Sequence, residues 1–138
     1  MTSPNELADR YVELWSEPDA ERRRERIAEL WTEDAVHLLQ PPEEIREIAA
    51  RPGLAMNATL EARGHAALEA RVTSAYQEFI APGAYSFRRR GDAERVGDVV
   101  RLGWEMVTVD GEVAGSGTDF LVLAPEGRIR RDYQFVDG

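Results

Sequence analysis

Asp119, Tyr11, His37 and Asp132 are the residues whose types and settings could move a proton in this chain. In the stretch from Val113 to Leu123, side chains alternate across a strand, so Val113, Gly115, Gly117, Asp119, Leu121 and Leu123 share one face. Two glycines leave space on that face, and a carboxylate sits among aliphatics. A strand built only for packing would hold neither, because glycine weakens strands and a buried charge is costly. The face is therefore expected to border a ligand pocket, with Gly117 and Leu121 in its wall and Asp119 addressing the occupant. Desolvation disfavours a carboxylate's charged form. Asp119 is then expected to be neutral near pH 7 and, with Tyr11, to donate hydrogen bonds into the pocket. On that reading Asp119→Asn keeps part of any activity, and Asp119→Leu folds but loses the donor. The opposite arrangement, an ionised Asp119 orienting His37, stays open.

His37 alternates with Ala35 and Leu39 and has an unperturbed pKa near neutrality, so it could titrate in the pocket or sit as a satisfied core histidine. Asp132 and Gln134 share a face of the last strand. Trp15, Leu39, Trp104 and Met106 supply apolar wall. His65 and the arginine clusters 88–90 and 128–131 read as structural, solvated or subunit-facing positions. With two histidines and no His-x-x-x-His spacing, no metal site is expected.

The elements that must position these residues follow from local signals. Ser3-Pro4-Asn5-Glu6 is a capping box with proline at the first helical position, and Leu7, Tyr11, Leu14 and Trp15 follow at helical spacing. Pro18-Asp19 breaks this helix and caps a second, whose stripe is Ile27, Leu30 and Trp31. A first short strand is expected over 35–39, a short helix over 43–50 stopped by Pro52-Gly53, and an extended piece over 58–63. Gly64 opens a third main helix carrying Leu68, Val72, Tyr76 and Phe79, stopped by Pro82-Gly83. Strands over 85–90 and 99–109 are separated by a turn region over 91–98. A tight Asp110-Gly111 turn then leads into the final hairpin, closed around Ala124-Pro-Glu-Gly127. Helices first and hairpins last predict one α+β domain over 1–138: a curved, cone-shaped antiparallel sheet packed against three main helices, with a pocket between them.

Composition removes several classes of chemistry. No cysteine is present, which excludes disulfides, thiolate nucleophiles and zinc–thiolate sites. All 17 basic residues are arginine, so no lysine can form a Schiff base. A net charge of −9 argues against nucleic acid as a partner. No apolar run approaches a membrane span of roughly 18 residues, and the acidic N-terminus lacks a signal-peptide pattern, so a cytoplasmic setting without membrane partners is expected.

The order of elements, with Leu30-Trp-Thr-Glu-Asp-Ala35, Gly64-His-Ala-Ala-Leu68 and the closing Asp119-Phe, Glu126-Gly-Arg-Ile129 and Asp132-Tyr-Gln-Phe-Val-Asp137, resembles the nuclear-transport-factor-2-like superfamily over nearly the whole chain. Within it the chain resembles SnoaL-like polyketide cyclases and ketosteroid-isomerase-like proteins. The resemblance implies the fold more firmly than an activity, since that fold hosts isomerases, dehydratases, cyclases, epoxide hydrolases and binders. Ketosteroid isomerases pair a first-helix tyrosine with a protonated aspartate on the penultimate strand; Tyr11 in Arg10-Tyr11-Val12 and Asp119 match them. Their general base falls at Leu39, so it is missing. The arginine of limonene-epoxide-hydrolase relatives falls at Gly117 and is missing too. SnoaL-like cyclases use a histidine and an aspartate on the last two strands; the nearby positions hold Asp119 and the Asp132–Gln134 pair.

These readings predict a cofactor-independent isomerase, cyclase or dehydratase moving a proton next to a carbonyl of a hydrophobic, oxygenated small molecule, with His37 or Asp132 carrying the proton. The alternative is a non-catalytic binding domain. A homodimer through the outer sheet face, near Arg101 and Glu105, is expected by family analogy. Residues 41–60 are expected to form a mobile cover of the pocket mouth.

Overall fold

The computed structural model of the chain describes residues 2–40 and 60–137. The expected short helix over 43–50, and the expected cover over 41–60 apart from Leu60, lie outside the described residues. Helix α1, Pro4–Trp15, begins where the sequence places it: Ser3 Oγ accepts from the Glu6 amide at 3.2 Å, and Glu6 Oε2 accepts from the Ser3 amide at 3.4 Å. Helix α2, Ala20–Leu30, is capped by Asp19, whose Oδ1 accepts from the Glu21 and Arg22 amides at 2.8 and 3.2 Å. Strand β1 spans Trp31–Leu39 and starts four residues before the expected point, because Trp31 is already extended where it closes α2. Strand β2, Leu60–Arg63, leads into α3, Gly64–Ala75, which continues as a π-helical turn over Tyr76–Ile80.

Strands β3, Tyr85–Val96, β4, Val99–Thr108, β5, Val113–Leu123, and β6, Ile129–Val136, complete the chain. Strand β3 runs through the region expected to turn. Its register shifts between Arg90 and Glu94, where Gly91 takes a φ of 66°, and the Ala93 amide freed from the ladder donates to Asn5 Oδ1 at 2.8 Å. A bulge answered by a side chain from α1 thus replaces the turn, and the reversal comes at Gly97.

The six strands form one open sheet in the order β2-β1-β6-β5-β4-β3. The architecture is the expected curved α+β one, with a correction: the sheet is mixed, because β1 and β6 pair in parallel. Most of the chain lies between these two strands, and so long a crossover can return in either direction. The helices lie on one face. Their inward residues Leu7, Leu14, Ile27, Leu68 and Val72 join Val100, Leu102, Leu121 and Ile129 of the sheet in one core. Each such side chain contributes about 1.5–3 kcal/mol when fully buried. No described helix is long and apolar enough to cross a membrane.

Candidate active site

The central four strands bring the polar residues of the inner face together. Cross-strand register sets His37 beside Asp132, Leu121 beside Asp132, Asp119 beside Gln134, and Trp104 beside Gly117. Tyr11 descends onto them from α1. Its hydroxyl lies 2.7 Å from Asp119 Oδ2 and also bonds Asp132 Oδ2. Trp104 Nε1–H donates to Asp119 Oδ1 at 2.7 Å. His37 Nε2 lies 3.0 Å from Gln134 Oε1 and 3.6 Å from Asp132 Oδ2. Tyr11, His37, Asp119 and Asp132 are all buried.

Proton positions follow from the donors and acceptors available. The Tyr11 hydroxyl has one proton but touches two carboxyl groups, so one of these must itself donate. Both Asp119 oxygens already face donors, whereas Asp132 Oδ1 is buried without a partner among the described residues. The better-satisfied arrangement therefore puts the charge on Asp119 and a proton on Asp132 Oδ2, which donates to Tyr11, which donates to Asp119. Burial pushes both carboxyls above the ordinary range. Asp132 is pushed further by the charge of Asp119, while bonds from Asp132, Tyr11, Trp104 and Gln134 draw Asp119 partly back. The two act as one proton-sharing pair. Tyr11 is raised well above 10.0 by burial and then by both carboxyls, so its phenol stays neutral.

His37 meets the opposite pressure. The rings of Trp15 and Trp31 lie 5.5 and 6.3 Å from it, centre to centre. Burial first, then the charge of Arg71, lower its pKa from 6.5 to about 3 against the pull of the Gln134 bond. The imidazole is neutral at pH 7. The Gln134 Oε1 acceptor 3.0 Å away assigns the proton to Nε2. Its link is to Gln134 and Asp132, so the arrangement in which His37 bonds Asp119 does not occur. A depressed pKa contributes stability that is complete above 6.5 and is lost as pH falls toward 3. His37→Gln should therefore flatten the acid side of the stability curve. The wild-type advantage in urea unfolding should shrink by a few kcal/mol between pH 6.5 and 3, each pH unit counting for about 1.4 kcal/mol. Parallel curves would refute this.

Beside this network lies a cavity of about 460 Å³ between sheet and helices. Of the residues expected around a pocket, Tyr11, Trp15, Leu39, Trp104, Met106 and Gln134 line it. Leu121 and Gly117 do not, which corrects the expected wall. Leu121 is fully buried in the core beneath. The space over Gly117 is occupied by this chain's own Trp104: a Cβ there would overlap the indole and lie 2.5 Å from the Phe135 carbonyl oxygen. Gly117→Ala should therefore cost about 1–3 kcal/mol through overpacking and should break the Trp104–Asp119 bond. A wild-type melting temperature with unchanged tryptophan emission would contradict this. Asp119, Asp132 and His37 also stay behind the lining, so Asp119 is no direct donor to an occupant.

The structure adds one residue that the sequence reading passed over. Arg71 lines the cavity from α3, with its guanidinium carbon 5.3 Å from the centre of the Trp15 ring and its Nε buried without a partner among the described residues. The available signal was its place between Leu68 and Ala75 on the helix's inward stripe, a cation where an apolar residue would suffice. The expected structural role of His65 agrees with its bond to the Trp31 carbonyl at 3.1 Å. His37, Asp119 and Asp132 offer ligand atoms within 4.8 Å of one another, a grouping that no sequence spacing announced. A cation there would have to displace the donors already held by Asp119 and Asp132, so the geometry fits a shared proton better.

No protein-family model and no curated protein matches the sequence. Solved structures do match. An inferred isomerase of the SnoaL-like family from Agrobacterium tumefaciens superposes with a TM-score of 0.77 at 28% identity, over 100% of both chains. A nuclear-transport-factor-2-like protein of unknown function from an Exiguobacterium species gives 0.61 at 19% identity, covering 95% of this chain and 98% of that one. An inferred polyketide cyclase from Sinorhizobium meliloti gives 0.59 at 14% identity, covering 94% and 93%.

Proposed function

For a chain of the nuclear-transport-factor-2-like superfamily, similar to its SnoaL-like members, we propose a cofactor-independent enzyme. It moves a proton next to a carbonyl of a hydrophobic, oxygenated small molecule. The carrying observation is the proton-sharing Asp119–Asp132 pair joined to the cavity through Tyr11. Two buried carboxyls weaken a fold unless they serve something, and a cavity built only to hold a molecule needs neither.

The substrate's apolar body lies against Trp15, Phe79, Phe87 and Met106. Its C–H bond breaks, and the electron pair moves onto the carbonyl oxygen. The proton passes to Tyr11 as the hydroxyl's own proton moves to Asp119 Oδ2, so the phenol stays neutral throughout. Protonation at a second carbon by the reverse path completes an isomerisation; ring closure or loss of water follows the same enolate. Arg71 and Gln134 face the cavity and supply positive charge and a polar amide. His37 is too weak a base to carry the proton itself and holds Gln134 in place.

Incubation with 2-tetralone in deuterium oxide, followed by NMR, tests this. Exchange of its α-hydrogens above the buffer rate is expected. A second reading, a non-catalytic binder, is favoured by one observation: neither carboxyl lines the cavity. Saturable binding of the ketone with no added exchange would establish that reading instead. A homodimer through the outer sheet face belongs to the same proposal, with Phe135, at 47% exposure, as an apolar contribution. A monomer mass by light scattering at micromolar concentration would remove it.

A further inference from the structure

We propose that the cavity is built for a hydrophobic monocarboxylate, with its carboxylate paired to the Arg71 guanidinium and its apolar body against the aromatic wall. The inference rests on the cavity being the substrate site and deepens that reading by naming the substrate's charge.

Among the described residues, two charged ones line the cavity, Arg71 and Asp137. Asp137 is already engaged: its Oδ2 accepts from Arg90 Nη1 at 2.9 Å and from Ser116 Oγ at 2.7 Å. Arg71 has no ion pair and no hydrogen bond among the described residues, and its Nε is buried. Its described companion is the Trp15 ring, which takes one face of the guanidinium and leaves the in-plane N–H groups free. Its charge is felt by the buried Asp119–Asp132 pair, but that pair offers its Nε–H no acceptor, and a buried donor left without one is costly, so an acceptor brought by a ligand would complete the site.

The chemistry of the missing partner follows. A planar fork of N–H donors matches a carboxylate's two oxygens, a geometry that lysine would not offer. One cation balances one negative charge, and a phosphate ester would need further donors. Elsewhere the lining includes Val12, Trp15, Ala75 and Phe79, which suit hydrocarbon or an aromatic ring rather than a second charge. A cavity of about 460 Å³ holds a molecule of small-drug size. In the proposed reaction, the carboxylate at Arg71 would fix which carbonyl-adjacent carbon faces Tyr11.

Isothermal titration of the full chain with octanoate, 1-octanol and octylammonium tests the inference, since the three share one tail and differ in head-group charge. Octanoate should bind at least tenfold more tightly than 1-octanol, and octylammonium more weakly than either. Arg71→Met, compared by thermal melting to confirm folding, should abolish the preference for acid over alcohol while still binding the alcohol. Arg71→Lys should restore part of the preference. Equal affinity of wild type for octanoate and 1-octanol, no binding of any probe, or a preference surviving in folded Arg71→Met would each overturn the proposal. Ketone exchange by a protein lacking the acid preference would sink this inference and leave the catalytic reading standing. An Arg71-dependent acid preference without ketone exchange would do the reverse.

Discussion

Tyr11→Phe should slow α-hydrogen exchange in 2-tetralone by roughly 10²- to 10³-fold, the loss typical of removing one preorganised hydrogen-bonding group from a reacting centre. Phenylalanine keeps the ring that packs 6.0 Å from Trp15 and 6.1 Å from Trp31, so the cavity wall remains. What disappears is the one oxygen touching both carboxyls, and with it the route between the cavity and Asp119. The variant should also lose about 2–4 kcal/mol in urea unfolding, because the charged member of the pair forfeits a hydrogen bond worth about 1.5–3 kcal/mol and two buried oxygens lose their partner. Affinity for the ketone should change less than the exchange rate. An unchanged exchange rate in a folded Tyr11→Phe protein would remove Tyr11 from the mechanism.

The second large effect is on the fold. Asp119→Leu should destabilise the protein by about 2–4 kcal/mol, a substantial part of the 5–15 kcal/mol typical of a domain. Tyr11 can turn its proton toward Asp132, but Trp104 Nε1–H, in the cavity wall, has no second acceptor among the described residues and is left unpaired. Asp119→Asn keeps an oxygen for Trp104 and should cost clearly less. Chemical denaturation of the pair of variants measures the difference, and equal stability of the two would show that the Trp104 bond contributes nothing. The sequence alone suggested that the leucine variant folds and merely loses a donor. That expectation treated Asp119 as aimed at a ligand, whereas it is the acceptor of two side chains from other elements.

Which parts of the site were legible depended on how far apart the interacting residues lie. The alternation along β5 gave the buried face of its second half: Gly117, Asp119, Leu121 and Leu123 are buried, as a period of two requires, whereas Val113 is exposed and Gly115 half-buried beside the register shift opposite Met106 and Val107. Tyr11 was found from helical spacing and from its resemblance to a ketosteroid isomerase motif. The glycines were read as space for a ligand, and the pattern could not reveal that Trp104 fills the space over Gly117 from the neighbouring strand. Arg71 was passed over because a polar residue on a helix is usually solvated, and only packing shows that this one faces a cavity.

The sequence by itself determined the elements and the faces. The Ser3–Glu6 capping box, the Asp19 cap, the turn glycines and the periodicities of α1, α3 and β5 act within a few residues, so their energetics are written locally. It determined as well, by omission of cysteine and lysine, which covalent chemistries are closed. Tertiary structure decided the rest. The parallel pairing of β1 with β6 puts His37 beside Asp132, and the descent of α1 puts Tyr11 against carboxyls 108 and 121 residues away in the chain. Burial then decides protonation, because the same aspartates in water would be two ordinary anions. Held together out of water, they cannot both ionise at small cost, and a shared proton is the result.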